Sequence, residues 1–266
     1  MKLTMLGTGH AVVTGYYNTC FVLEDEGRYL LVDGGGGGAL LNQLKAAGIP
    51  WQGIHDIFVT HKHTDHILGI IWMIRLSLAG LAHGKTDAGI AIYGNEVVID
   101  ALRQFTQIIF TERENEFVDN GLDFVVVHDG EEREIIGHTV RFFDIQASKV
   151  LQYGFVIDLG DGKTLACCGD ETFNDACAPA VAGSTYFMHE AFCLFAQADI
   201  FEPYEKGHST ARDAAEIAER LGVANLILYH TEDSNVANRK QLYTAEAKEY
   251  FSGVVFVPED LESIEL

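Results

Sequence analysis

Residues 57–66 read Ile57-Phe58-Val59-Thr60-His61-Lys62-His63-Thr64-Asp65-His66, an apolar run that breaks into three histidines and one aspartate within six positions. The first four residues have the β-branched and aromatic character of a buried strand. Imidazole nitrogen and carboxylate oxygen are the donors that borderline-soft divalent metals take, and a loop at a strand end can bend both toward one centre. The apolar stretch Ile67–Leu81, interrupted by Arg75, is too short to span a bilayer and reads as a buried helix, periodic over Ile67–Ala79. The cluster therefore lies between a strand and a helix.

Working outward, strand-like runs precede it at Lys2–Leu6, Cys20–Leu23 and Tyr29–Val32. They follow it at Ile90–Tyr93, Phe124–His128, Thr139–Ile145, Gly154–Leu159, Thr164–Cys168, Tyr186–His189, Leu226–His230 and Val254–Val257. Many are too continuously apolar to have a solvated face. Helical patterns sit at Ala39–Ala47, Val97–Phe110 and Ala211–Leu221, the last opened by Thr210 and Asp213 in the spacing of a capping box. Strands and helices interleave, which predicts sheets covered by helices in a layered α/β arrangement. The glycine run Gly34–Gly38 fits neither a P-loop nor a dinucleotide fingerprint, because no Lys-Ser/Thr follows it and no acidic residue closes a βαβ unit.

The chain has 266 residues with 39 acidic and 18 basic side chains, a formal charge of −21. Such a surface repels phosphate backbones and anionic lipid, which disfavours a diffuse nucleic-acid or membrane binder. Arg239-Lys240 is the only adjacent basic pair. Five cysteines, odd in number and without a CxxC spacing, suit a reducing compartment. Met1–Gly7 lacks the apolar core of a signal peptide, so the expected location is the cytoplasm. No Pro/Ser-rich linker divides residues 1–266, which reads as one domain.

The segment His61-x-His63-x-Asp65-His66 resembles the signature of the metallo-β-lactamase superfamily, and further resemblances follow in order. Leu6-Gly7-Thr8-Gly9, Val32-Asp33-Gly34-Gly35, Cys168-Gly169-Asp170 and Leu226–His230 are similar to its other motifs. His189-Glu190-Ala191 and Gly207-His208-Ser209-Thr210 are similar to motifs of the ribonuclease Z branch. The resemblance implies an αββα sandwich, two mixed sheets flanked by helices, and a hydrolase that attacks with a metal-activated water. It implies two divalent metals, zinc first and manganese or iron as alternatives. His61 and His63 would hold one, Asp65, His66 and His230 the other, with Asp170 bridging. Asp65 would also orient the water. Asp33 would buttress a ligand histidine, and His208 with Glu190 would protonate the leaving group. His189 reads either as a hydrogen-bonding support or as a core histidine, and His10 receives no role. A homodimer is also implied.

Two departures matter. The family's third histidine for the first metal is absent, since none lies between His138 and His189. Gln146 is the best match for it and Ser148 the second, and a neutral amide would weaken that site. The arm used by branch members that process transfer RNA is also missing, for only a hairpin-sized stretch, Ala147–Gly169, separates Gln146 from Asp170. The expected substrate is a small or short phosphodiester, such as a cyclic or short nucleotide, with transfer RNA disfavoured. The alternatives are a thioester or lactone hydrolase of the same fold, and a non-catalytic metal-binding protein with a degenerate first site.

Overall fold

The computed structural model describes residues 1–85 and 88–266. Its first sheet comprises β1 (Lys2–Gly7), β2 (Cys20–Asp25), β3 (Arg28–Val32), β4 (Ile54–Val59), β5 (Ile90–Gly94), β6 (Leu122–Val126) and the last strand, β14 (Ser263–Glu265). The second comprises β7 (Glu132–Ile135), β8 (His138–Asp144), β9 (Tyr153–Gly160), β10 (Lys163–Cys167), β11 (Tyr186–Glu190), β12 (Asn225–Tyr229) and β13 (Val254–Phe256). The helices are α1 (Leu40–Ala46), α2 (Thr64–Ala82), α3 (Glu96–Ile109), α4 (Glu112–Asn115), α5 (Ala178–Val181), α6 (Ala198–Phe201), α7 (Ala211–Leu221) and α8 (Arg239–Tyr250).

The sheet orders are β14-β1-β2-β3-β4-β5-β6 and β13-β12-β11-β10-β9-β8-β7. Each sheet joins an antiparallel half to a parallel half, the change falling at β3 in one and at β10 in the other. This is the expected αββα sandwich of two mixed sheets. Alternation along the strands explains why they are apolar on both sides. In β4, Ile57 and Val59 face α1, α2 and α3, whereas Phe58 faces the other sheet. In β12, Ile227 and Tyr229 face the first sheet, whereas Leu226 and Leu228 pack toward α7 and α8. Phe58 meets Phe142 and Phe155 between the sheets, with ring centroids 5.0 and 5.7 Å apart.

Helix α2 begins earlier than the apolar pattern suggests, so Asp65 and His66 stand in its first turn. Among the described residues it alone is long and apolar enough to cross a membrane, and more than half of it is buried in the protein. The glycine run is explained by this helix. A Cβ on Gly69 would overlap the Gly34 carbonyl oxygen, and one on Gly34 would lie 2.6 Å from the Ile70 nitrogen. Glycine on both sides lets the two backbones meet, with Gly34 N–H donating to His66 O at 2.7 Å and Gly69 N–H to Gly35 O at 3.0 Å.

Candidate metal centre

The donor side chains converge where strands end. His61 and His63 follow β4, Asp170 follows β10, His230 follows β12, and Asp65 and His66 open α2. Asp65, His66, Asp170 and His230 each place a donor atom within 4.8 Å of the others, and all four are buried. His61, His63 and Asp170 form a second such group, with His63 exposed. Asp170 faces both groups. Its Oδ1 lies 3.6 Å from His61 Nε2, and its Oδ2 lies 3.1 Å from His66 Nε2 and 3.3 Å from His230 Nε2.

The outer ring nitrogens fix which way the imidazoles present themselves. Thr60 Oγ1 donates its hydrogen to Asp33 Oδ2 at 2.8 Å, so toward His61 Nδ1, 3.0 Å away, it acts as acceptor. Thr19 Oγ1 donates to Gly9 O at 3.1 Å and therefore accepts from His230 Nδ1 at 2.9 Å. Asp33 Oδ2 takes the Nδ1 proton of His66 at 2.7 Å. All three rings thus carry hydrogen on Nδ1 and turn a bare Nε2 inward, the arrangement of metal-ligating histidine. His66 Nε2 is buried without a hydrogen-bond partner. The donor set therefore fits a divalent metal. Asp33 and His230 both adopt left-handed backbone, at φ 58°, a conformation unusual for these residues and concentrated at functional sites.

Electrostatics divide the three rings: burial opposes the charge on His66, yet Asp33, Asp170 and Asp65 outweigh it and hold this ring well above its usual value in the metal-free chain, the charge a bound cation would replace. Burial lowers His61 and His230 to about 3, favouring the neutral, ligating form. Burial opposes ionisation of Asp65 and Asp170, yet the surrounding imidazoles outweigh it and hold both carboxyls below the ordinary range.

Other expected residues fall into place unevenly. His208 Nδ1 is 3.8 Å from Glu190 Oε2 and makes no hydrogen bond to it. The carboxylate of Glu190 is wholly buried and accepts from the Phe192 N–H at 3.0 Å and from the Ser209 N–H. Burial holds His208 below, and Glu190 well above, their usual values. The His208 ring stacks on Phe192, centroids 4.8 Å apart, and lies 5.3 Å from His230. His189 belongs to the core: it packs on Phe187, and its Nδ1 donates to Glu190 O at 2.7 Å.

Gln146 corrects the sequence reading. It is exposed, has φ 58° and lines a separate cleft with Asp129 and Cys177, while Ser148 is engaged by Glu171. The amide in the cluster is Gln152, 2 % exposed, whose Nε2 donates to Asp170 Oδ1 at 2.5 Å. It stands directly before Tyr153-Gly154-Phe155 at the start of β9, across from the end of β8, where Ile145 N–H donates to Gln152 O at 3.1 Å. Proximity to the Gly-aromatic strand was the available signal. Thr19 and Thr60 carried none, because threonines in strand-like runs are common.

The donors open into a cleft of about 270 Å³ that also includes His10, Lys149, Glu171, Phe192, Lys206 and His208. A larger, mostly apolar cavity of about 410 Å³ lies at the far end of α2, between Trp51, Met73 and Ile90. Among the described residues it contains no comparable donor cluster.

The model of the family described as anti-Pycsar protein Apyc1 matches residues 1–246. A ribonuclease Z of Natronomonas pharaonis is 26 % identical over 311 aligned positions, covering 100 % of this chain and 98 % of that protein. The crystal structure of the metallo-β-lactamase fold protein YhfI from Bacillus subtilis superposes with a TM-score of 0.80 at 21 % identity, over 99 % of this chain and 98 % of that one. The short form of human tRNase Z, ELAC1, superposes with a TM-score of 0.72 at 23 % identity, over 100 % and 99 % of the two chains.

Proposed function

The chain belongs to the family of anti-Pycsar protein Apyc1 and is a metal-dependent hydrolase of the metallo-β-lactamase superfamily, ribonuclease Z-like, and from this premise we propose that it hydrolyses a small phosphodiester such as a cyclic or short nucleotide. The observation that carries this reading is the pair of donor groups sharing Asp170, with His208 beside them in one cleft. Two zinc ions are the proposed cofactors, one held by His61, His63 and Asp170, the other by Asp65, His66, Asp170 and His230. Bound there, they would supply a water of lowered pKa and a clamp on the phosphoryl oxygens.

The chain's own groups do the rest. Asp65, held ionised, orients the attacking water. His208 donates a proton from Nε2 to the departing oxygen, and Glu190, 3.8 Å from Nδ1, is the group that would orient the ring on closer approach. Gln152 stands where the first group lacks a histidine, and its neutral amide makes that group the weaker of the two. Asp33 supports His66 through Nδ1.

Size and charge favour a small substrate. β9 and β10 are joined by Asp161-Gly162 alone, so no long arm extends from this hairpin. Among the described residues Lys149 and Lys206 are the only lysines or arginines lining the cleft, and their ammonium groups rest on the carbonyls of Lys206 and Phe201. They are free of carboxylate partners among the described residues and suit one small anion, whereas a net charge of −21 opposes a long polyanion such as transfer RNA. A homodimer is a part of this proposal that rests on the family likeness, and a cytoplasmic location is a part that rests on the unpaired cysteines.

The test is hydrolysis of bis(p-nitrophenyl) phosphate and of a panel of cyclic nucleotides by the zinc-loaded protein. Asp65→Ala is expected to remove most activity on all of them. His208→Ala is expected to cost about 10²–10⁴-fold on the nucleotides, and less on the nitrophenyl ester, whose leaving group needs no proton. Equal rates for wild type and both variants would refute the reading.

A further inference from the structure

His10 follows the Gly7-Thr8-Gly9 turn at the end of β1, and the fold carries it into the cleft of the metal-type donors. Its mounting is rigid. The His10 N–H donates to Thr231 O at 3.1 Å, and the His10 carbonyl accepts from Asn18 Nδ2 at 2.8 Å. The preceding Gly9 carbonyl accepts from Thr19, the same threonine that orients His230. The backbone on both sides of the ring is therefore fastened to neighbours of a metal-type donor. The turn is also held from beyond, since Asp233 Oδ2 accepts from the Thr14 and Gly15 N–H groups at 2.7 and 2.9 Å.

The ring itself is held only by packing. It leans on Phe192, centroids 4.6 Å apart, and lies edge-on to His230 at 6.2 Å. Phe192 is stacked on His208, so one aromatic ring steadies both imidazoles. Among the described residues neither nitrogen of His10 has a hydrogen-bond partner, and the residue is not in either donor group. His138, a half-buried histidine of the second sheet, by contrast engages both ring nitrogens, one with Asp158 O and the other with Asp25 Oδ2. His10 instead presents ring nitrogens without a hydrogen-bond partner to the cleft that Asp65, Lys149 and Lys206 also line.

We propose that His10 is a substrate-contacting residue, its imidazole hydrogen-bonding a phosphoryl oxygen of the ligand held beside Asp65 and His230. The inference rests on the phosphodiester reading for the identity of the ligand. Because the contact is made to the bound anion itself, it belongs to binding more than to the chemical step.

The experiment uses the full zinc-loaded chain as wild type, His10→Ala and His10→Gln. Metal content is measured by elemental analysis, inorganic phosphate binding by calorimetry, and kcat and KM on bis(p-nitrophenyl) phosphate. A hydrogen bond to a charged group predicts phosphate affinity weakened about 10–100-fold in His10→Ala, with KM raised, kcat within about threefold and metal content unchanged. The amide of His10→Gln should restore part of the affinity. Unchanged phosphate affinity and KM in His10→Ala would overturn the proposal, and so would loss of zinc, which would make His10 a support for His230. If wild type binds phosphate but hydrolyses no diester while His10→Ala still binds it more weakly, the contact stands and the phosphodiesterase reading falls.

Discussion

A hydroxyl with only one hydrogen can decide how an imidazole meets a metal. Thr19 gives its hydrogen to Gly9 O and so can only accept from His230, which leaves Nε2 bare toward Asp170. Thr19→Val keeps the shape and removes the acceptor. It is expected to weaken zinc binding about 10–100-fold in a competitive chelator titration, with the fold retained. Affinity equal to wild type would show that the threonine does not set the ring. His189 makes a different point, because its burial is structural. Burial lowers it to about 4, against a backbone bond to Glu190 that favours its charged form. Between pH 6.5 and 4 the unfolded chain therefore binds a proton that the folded chain refuses. Its contribution is complete above pH 6.5 and is lost as pH falls through that window. His189→Phe should flatten stability against pH there by up to about 3 kcal/mol relative to wild type. Parallel urea-unfolding curves for the two proteins at pH 7 and pH 4.5 check it, and identical slopes would contradict it. The histidines of the two donor groups were readable in the chain because six consecutive positions contain most of them. Gln152 was not, since its place depends on the contact of the start of β9 with Asp170, a residue after β10.

At the scale of elements, α7 shows how far local rules reach. Ala211–Leu221 forms the helix its apolar spacing predicts, and Thr210 and Asp213 close the capping box in both directions. Helix α8 escaped detection because Arg239–Tyr250 is mostly polar and buries only Arg239, Tyr243 and Ala247. The strand β7 was hidden for a similar reason, being a sheet edge whose first three residues are exposed. Helix α2 carries the consequence for function, since its first turn bears Asp65 and His66 and is seated on Gly34 and Gly35. Gly69→Ala should push this turn off its seat. The expected result is weaker zinc binding at the donor group that includes Asp65 and His66 and a stability loss of about 1–3 kcal/mol, comparable to overpacking. Zinc content and thermal unfolding measure the two effects, and a variant that binds zinc and melts like wild type would count against the seating.

For the whole molecule, the two sheets share the core between them, where Phe21, Phe58, Phe142 and Phe155 meet. The centre for metal draws on both sheets, so neither half can hold the donors alone. We predict one cooperative unfolding transition for the metal-free chain, with coincident curves from tryptophan fluorescence and far-ultraviolet circular dichroism. Two resolved transitions would indicate separately folding halves. The large negative charge finds a partial local balance at the site, where Asp65 and Asp170 face imidazoles and two lysines line the rim. The linear chain was sufficient to establish which chemistry is available, because ligand types, strand periodicity and the spacing of His61–His66 are properties of neighbours in sequence. It also ruled out the long arm, whose absence is a matter of length. Tertiary structure alone decided that Gln152 and not Gln146 enters the cluster, that Thr19 and Thr60 set the imidazole tautomers, and that His10 joins the cleft. Each of these depends on distances across two packed sheets, between residues that no local pattern relates.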